Sequence, residues 1–307
     1  MSGALTLQFS AHAMANVHRI TRELTDLQRQ VASGAAHADL QGFGGGAARL
    51  LTAKGLKAAS DAHGSVINQL QARFGVQGAA LGRISDAAQL LALSIREAIS
   101  ANDGRGIAVE LEMTFASTVS ALNETWNGQP LFAGERQDGS PVKITSLEQL
   151  QSATGPDDIF DEAERHQMIP FAGGAPVVLS KKASELSQGM FDAMLQLKSL
   201  LDSSGGTIGQ PISASQIQQL QNLAAELEAQ AATFVTEEGR AGQLSARFDA
   251  EQIRLQARSD LLTKEIGEQA DADVAMATIK LSTLMTQYEA TAKTFAELSQ
   301  LSLLDYL

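Results

Sequence analysis

The last 37 residues, from Asp271 to Leu307, read DADVAMATIKLSTLMTQYEATAKTFAELSQLSLLDYL. Their apolar residues recur at alternating steps of three and four, which is the heptad spacing of paired helices. No Pro follows Pro211 and no Gly follows Gly267, so neither residue breaks a helix in this stretch. The spacing predicts one long amphipathic helix that needs a partner along its apolar stripe. The stripe consists of Val274, Ala277, Leu281, Leu284, Tyr288, Thr291, Phe295 and Leu298.

The first part of the chain has a stripe of the same kind, with steps of four, three, four, three and four. It ends at Val31-Ala-Ser-Gly34, because a glycine after periodic residues is a common helix stop. We expect the two ends to pair with each other or with copies of themselves in neighbouring molecules. An ordinary antiparallel coiled coil inside a monomer is the alternative. The N-terminal stripe consists of Ala13, Val17, Ile20, Leu24, Leu27 and Val31.

Composition favours long helices and excludes several classes of partner. The chain has 307 residues, of which 44% are hydrophobic and only 5% aromatic. A net charge of −12 argues against binding to nucleic acid or to anionic membrane surfaces. No apolar run reaches the ~18 residues of a membrane span. Residues 1–10 lack a basic segment and a continuous apolar core, so we expect no cleaved secretory signal.

Two helical halves flank a different middle segment. Apolar residues at helical spacing run over residues 47–100, which would be roughly 80 Å if straight, and again over residues 107–122. Helix resumes at about Ser184, and Ser213 is the predicted N-cap of the last long pattern.

The middle segment, residues 131–184, contains four of the six prolines, and a fifth, Pro130, directly precedes it. Pro141-Val-Lys-Ile-Thr145 and Pro176-Val-Val-Leu-Ser180 are predicted short strands. The expected fold is therefore mainly α: an elongated helical bundle or coiled-coil rod built from the N- and C-terminal halves, with a small β-containing insert.

The sequence carries no recognisable catalytic or metal-binding motif. It has no Cys, and its five His residues form neither a His-x-x-x-His pair nor HExxH. The acidic run of residues 157–164 lacks the glycine and the spacing of a calcium loop, so we interpret it as a solvated face. Asp39–Gly46 lacks the Gly-Lys-Ser/Thr of a phosphate loop and is expected to form a corner between helices. We expect no enzyme activity, catalytic residue, cofactor or metal.

Three short segments, in their order along the chain, resemble the flagellin superfamily. Ile95-Arg-Glu-Ala-Ile-Ser-Ala-Asn-Asp-Gly104 is similar to that family's RELAVQSANGT segment. Val31-Ala-Ser-Gly34 is similar to its LSSG turn, and Asp271-Ala-Asp-Val274 to its DAD entry into the C-terminal arm. The resemblance covers about residues 1–130 and 185–307.

Two further segments resemble the hook-associated protein 3 family within that superfamily, whose members join hook and filament. Asn127-Gly-Gln-Pro-Leu-Phe-Ala-Gly134 is similar to its NGRYIFAG stretch, and Leu301-Ser-Leu-Leu-Asp-Tyr-Leu307 to its SLLDYL ending. The DDPA or KDDAAG segment of the superfamily is missing, and Asp39–Gly46 stands in its place.

The resemblance implies a structural subunit of the bacterial flagellum that joins hook to filament by helical self-assembly. It implies terminal arms 1–38 and 271–307 in an inner core, a helical rod of 39–130 and 185–270, and a small exposed α/β insert, 131–184. The implied assembly interface consists of Val17, Ile20, Leu24, Leu27, Val31, Val274, Leu281, Leu284, Tyr288, Phe295 and Leu298.

The resemblance also implies partners and a location. The partners are hook protein, hook-associated proteins and flagellin, further copies in a helical or ring-like array, and an export chaperone, with no nucleic acid and no membrane insertion. The location is extracellular, on the flagellum, reached by the flagellar type III route. Two alternatives stay open: a filament flagellin, and a secreted adhesin-type binding module with residues 131–184 as its binding face.

Overall fold

A computed structural model describes the backbone of residues 2–170 and 176–304, and the side chains of residues 12, 14–170, 176–294 and 296. The helices are α1 (Ser2–Ser33), α2 (Ala47–Ala101), α3 (Ile107–Leu122), α4 (Leu147–Ser152), α5 (Pro156–Ile159), α6 (Ala183–Ser203), α7 (Ala214–Ala270) and α8 (Val274–Leu304). The strands are β1 (Thr125–Trp126), β2 (Gln129–Pro130), β3 (Met168–Ile169) and β4 (Val177–Val178). The predicted mainly-α fold with a small β-containing insert is confirmed.

Two helix boundaries lie at the stop and cap residues that were predicted from the sequence. Helix α1 ends at Ser33, and Gly34 adopts a positive φ of 70° that suits a glycine. Ahead of α7, the backbone N–H of Gln216 donates to Ser213 Oγ (3.3 Å), while Gln216 Oε1 accepts from the Ser213 N–H (3.0 Å). These reciprocal bonds form a capping box, which confirms Ser213 as the N-cap.

The predicted corner between α1 and α2 is a short ordered turn. Residues Leu40–Gly46 form a 3-10 helix, and the Asp39 carboxylate accepts a hydrogen bond from the Gly42 N–H (3.1 Å). Gly44, at a φ of 50°, breaks the regular geometry just before α2 begins. The corner is therefore built from one aspartate cap and the backbone freedom of glycine.

A two-residue hairpin follows α3. Strands β1 and β2 pair antiparallel, with Trp126 opposite Gln129. Between them, Asn127 and Gly128 both have positive φ, at 50° and 78°. Asn-Gly with two positive φ values forms the tight turn that matches the twist of a hairpin.

The second predicted strand is confirmed, and the first is shorter than expected. Val177–Val178 pairs antiparallel with Met168–Ile169. In residues 141–145, only Val142 bridges to Phe160. The Val142 N–H donates instead to Asn123 Oδ1 (2.9 Å), and its carbonyl accepts from Asn123 Nδ2 (3.0 Å). On the other edge, the Lys143 N–H donates to the Ile159 carbonyl (2.8 Å), and the pairing stops there because Pro156–Ile159 forms α5.

The described residues divide into two compact units. One contains the residues up to Gly64 and those from Ile253 onward, and the other is Ser65–Gln252. In the second unit, α2 and α7 run antiparallel: Ser85 Oγ donates to the Ala231 carbonyl (3.3 Å), and Arg96 pairs with Glu228 (2.8 Å).

The core of Ser65–Gln252 includes the apolar side chains of the insert. The rings of Phe115 on α3 and Phe191 on α6 lie 6.0 Å apart, and Phe160 lies at the same distance from Phe191. The insert residues in this core are Leu131, Phe132, Val142, Ile144, Leu147, Leu150 and Phe160. The insert is therefore packed on α3 and α6.

In the other unit, α2 and α7 are joined by a small polar cluster. Ser259 Oγ donates to Asp61 Oδ1 (2.6 Å), and Lys57 Nζ lies 2.7 Å from Asp61 Oδ2. The hydrogen bonds from Lys57 and Ser259 hold the pKa of the Asp61 carboxyl below its usual value. The carboxylate therefore stays charged and links the two helices here.

A prediction tests how the insert is seated. Gly134 has a φ of 66°, and a Cβ there would overlap the carbonyl oxygen of Arg165. Gly139 has a φ of 80°, but its Cβ would meet Asp161 Oδ2 at an ordinary 3.7 Å. Both Gly→Ala changes should cost about 1–2 kcal/mol through φ, and Gly134→Ala about 1–3 kcal/mol more through overlap. Urea denaturation followed by circular dichroism measures the free energy of unfolding of each variant. Equal losses of stability in the two variants would contradict the close contact between Gly134 and the Arg165 carbonyl.

Candidate assembly surface on the terminal helices

The segment that follows α1 and the segment that precedes α8 are joined by two backbone hydrogen bonds. The Ala36 N–H donates to the Ala270 carbonyl (2.8 Å), and the Ala272 N–H donates to the Gly34 carbonyl (2.7 Å). Asp273 then caps α8, because its carboxylate accepts from the Met276 N–H (2.9 Å). Helix α1 ends where α8 begins, so the two helices run antiparallel and pack against each other.

The predicted stripes face the pairing side to different degrees. Ile20 and Ala277 are each only 4% exposed. Half-buried positions are Val17, Leu24, Leu27, Val31, Leu281 and Leu284. Val274 and Tyr288 stay 42% and 38% exposed. The side chains of Phe295 and Leu298 lie outside the described residues.

The half-burial has a simple cause: one partner helix covers only one side of a stripe. Leu27 of α1 and Leu284 of α8 line a common groove of about 490 Å³, together with Ile279. Polar side chains form its rim: Glu23, Asp26, Gln30, Lys280, Thr283 and Gln287. The pair of helices thus leaves apolar surface open along its flank.

Helix α8 carries a second stripe, which the sequence analysis missed. At 100° per residue, Ile279 lies about 160° around the helix from Ala277, at the outer edge of the groove that α8 shares with α1. Met276 and Ile279 are 49% and 64% exposed. The signal was present in the sequence, since this stripe repeats the steps of three and four from a different start. Its members, all exposed, are Met276, Ile279, Thr283, Thr286 and Ala290.

The threonine hydroxyls on the exposed side of α8 are already hydrogen-bonded within the helix. Thr283 Oγ1 donates to the Ile279 carbonyl (2.9 Å), and Thr286 Oγ1 donates to the Ser282 carbonyl (3.2 Å). Each hydroxyl therefore has its acceptor within the helix. Burying such a side chain against a partner leaves no unsatisfied donor, and its methyl group adds apolar contact.

Charge is sparse on this helix. From Val274 to Thr294 the charged side chains are Lys280, Glu289 and Lys293. A helix that is weakly charged all round is typical of one covered on more than one side. Within one chain, α1 covers one side, and the stripe of Met276 to Ala290 remains uncovered in the described structure.

The acidic run of residues 157–164 is divided among separate partners. Asp158 accepts from the Thr154 N–H (2.8 Å), and Asp161 pairs with Arg136 (2.6 Å). Glu162 accepts from the Ser184 N–H (3.1 Å). Across the described residues, no group of three or more His, Cys, Asp or Glu is placed to hold a metal ion. These three carboxylates act as local caps and ion pairs.

Within the described part of the chain, no helix is long and apolar enough to cross a membrane.

Comparison with solved structures shows the fold. A structure described as a flagellar hook-associated protein of Vibrio parahaemolyticus matches with a TM-score of 0.59 at 14% identity, covering 73% of this chain and 97% of that one. FlgL of Bacillus cereus matches with a TM-score of 0.41 at 12% identity, covering 62% and 97%, which is too weak a likeness to support an argument. A scan of family models and a search of curated proteins each gave no match. The chain shares the fold of the Vibrio structure.

A prediction tests the pairing of α1 with α8. Ile20→Asp places a charge at a position that is 4% exposed, and an unpaired buried charge costs several kcal/mol. The pair should open more often, so trypsin should cut at Arg22 and Lys280 at least about tenfold faster, while Ser65–Gln252 survives. Thr21→Asp, one residue along on the exposed side, is the matched control and should be cut like the unmodified chain. Equal cleavage of the two variants would contradict the pairing.

Proposed function

We propose that this chain is a structural subunit of the bacterial flagellum that assembles through α1 and α8, and that it joins hook to filament. Three observations support the proposal: the fold shared with a flagellar hook-associated protein, the ordered flagellin-like segments, and the open stripe on α8. The stripe carries the most weight, because it is a property of this chain alone.

The physical argument starts from the exposed side chains of α8. Fully burying an Ile or Met side chain contributes about 1.5–3 kcal/mol. Met276 and Ile279 forgo about half and about two thirds of that gain in the single chain, where they stay 49% and 64% exposed. A neighbouring copy that covers the stripe would recover it at every repeat of an array. Helical assembly through a surface of this kind continues from copy to copy.

We propose a position in the assembly for each segment of the chain. Arms 1–38 and 271–307 form an inner core, residues 39–130 and 185–270 the surrounding helical part, and residues 131–184 the outward-facing insert. The assembly interface includes the predicted stripe residues Val274, Tyr288, Phe295 and Leu298, together with the second stripe of α8. Tyr288, at 38% exposure, lies at the edge of the α1 contact.

The proposed location is outside the cell, on the flagellum. Neighbours are further copies of the chain and other flagellar subunits: hook protein, hook-associated proteins and flagellin. Because the stripe on α8 is exposed before assembly, we propose that an export chaperone covers it during passage through the flagellar type III route. We propose no enzymatic reaction and no cofactor.

A filament flagellin is the second candidate, because the same arms would serve it equally well. The segment Asn127–Gly134 favours the junction, since it resembles the hook-associated protein 3 family. Immunogold electron microscopy of flagella separates the candidates. The junction proposal expects label at the distal end of the hook. Label along the filament would assign a flagellin, and label away from flagella would overturn the flagellar proposal and favour an adhesin.

A prediction tests the stripe itself. Ile279→Asp changes a side chain that is 64% exposed, so the single chain should fold and melt like the unmodified protein. Its charge would have to be buried at each contact between copies, so the variant should be exported but not incorporated into flagella. Leu284→Asp, at a half-buried position, should fail in both pairing and incorporation.

The control for this prediction is Lys280→Ala, one residue along α8 at an exposed position. It should be incorporated normally. Cells with Ile279→Asp that carry complete flagella and swim like the parent would show that the second stripe is not an assembly surface.

A further inference from the structure

Glycines cluster at one level of the antiparallel pair formed by α2 and α7. Within Ser65–Gln252, positions for a Cβ on Gly78 and Gly82 both lie 3.8 Å from the Glu238 side chain, so these parts of the two helices face each other. Both helices run through the level without a break. The glycines at this level are Gly75, Gly78 and Gly82 on α2, and Gly239 and Gly242 on α7.

Close packing does not require these glycines. A Cβ on Gly75, Gly239 or Gly242 would meet nothing within 4 Å, and on Gly78 or Gly82 only an ordinary contact. Elsewhere in the same unit, packing does require glycine: a Cβ on Gly189 would come within 2.5 Å of Gln230 Nε2. Glycine inside a helix lowers its stability relative to alanine, because the unfolded backbone has more freedom to lose. The glycines therefore lower the stability of both helices at this level, although alanine would fit there.

A second, independent feature weakens the same level. Arg73 and Gln77, one turn apart on α2, are only 6% and 5% exposed. Within the described part of the chain, Arg73 Nε and Gln77 Oε1 have no hydrogen-bond partner. Burial also lowers the pKa of the Arg73 guanidinium. Buried polar groups without partners favour any opening that admits water.

Good packing brackets this level. On one side Gln71 Nε2 donates to Asp249 Oδ1, and the rings of Phe74 and Phe248, at the edge of the level, stack with centroids 5.7 Å apart. On the other, Ser85 Oγ donates to the Ala231 carbonyl (3.3 Å), and the fully buried Leu91 and Ile95 follow. The weakness is thus confined to about three turns of helix.

We propose that residues 73–82 of α2 and 237–242 of α7 form a joint at which this helix pair bends and opens transiently, while the pair on either side stays closed. The five glycines lower the cost of bending both helices at the same place. When the joint opens, the Arg73 and Gln77 side chains form hydrogen bonds with water, which offsets part of the free energy of opening. The joint does not depend on what the chain assembles with.

Hydrogen exchange on the full chain tests the opening. Amides of residues 75–82 and 239–242 should exchange at least about tenfold faster than those of residues 88–95. The triple variant Gly75→Ala, Gly239→Ala and Gly242→Ala should slow exchange at the joint by about fivefold for each replaced glycine. Gly55→Ala, also in α2 with nothing within 4 Å of its Cβ, is the matched control and should leave exchange at the joint unchanged.

Spin labels test the bending. The chain has no Cys, so labels on Gln69→Cys and Glu97→Cys, both exposed on α2, report one distance across the joint. Their separation along the helix is roughly 42 Å. The distance distribution should be broader in the unmodified background than with the three alanines. Slow exchange at the joint, equal to that of residues 88–95, would overturn the proposal, and so would a distribution that the three alanines leave unchanged.

Discussion

The backbone bonds that Gly34 and Ala36 make to Ala272 and Ala270 bring the two ends of the chain together. Everything proposed for the terminal helices depends on this contact. It fixes where α1 ends and α8 begins, so the two stripes meet in antiparallel register. A pair of helices can bury only one side of each member. The contact therefore also decides which apolar surface remains open: the stripe of α8 from Met276 to Ala290.

That open surface links the stability of one chain to the behaviour of many. In a single molecule the pair is sufficient to bury Ile20 and Ala277, but not Ile279. The threonines have their hydroxyls bonded within the helix, and few charges interrupt the surface. These features cost little when α8 is exposed and become favourable when it is covered. A subunit that must travel singly and then assemble needs this combination.

Much of the fold could be predicted from the sequence because its signals are local. Heptad steps gave the terminal helices, Gly34 gave the end of α1, and Ser213 gave the start of α7. The second stripe was missed because the count followed a single heptad register, which starts at Val274, and did not test the register that starts at Met276. The strand expected at 141–145 is reduced to one bridge because its partner segment runs into helix α5, Pro156–Ile159. A distant side chain, Asn123, takes the backbone bonds on the other edge of Val142. The hairpin at Asn127-Gly128 could have been predicted from that dipeptide alone.

The central claim is that the second stripe of α8 lies against another molecule in the flagellum. A photo-reactive amino acid placed at Ile279 of the full chain tests it most directly, because that side chain is 64% exposed in the single molecule. Illumination of intact flagella should give covalent adducts to a second copy or to another flagellar subunit, identified by mass spectrometry, and the dilute chain should give none. Flagella that contain the modified chain but yield only unlinked or intramolecular products would contradict the account.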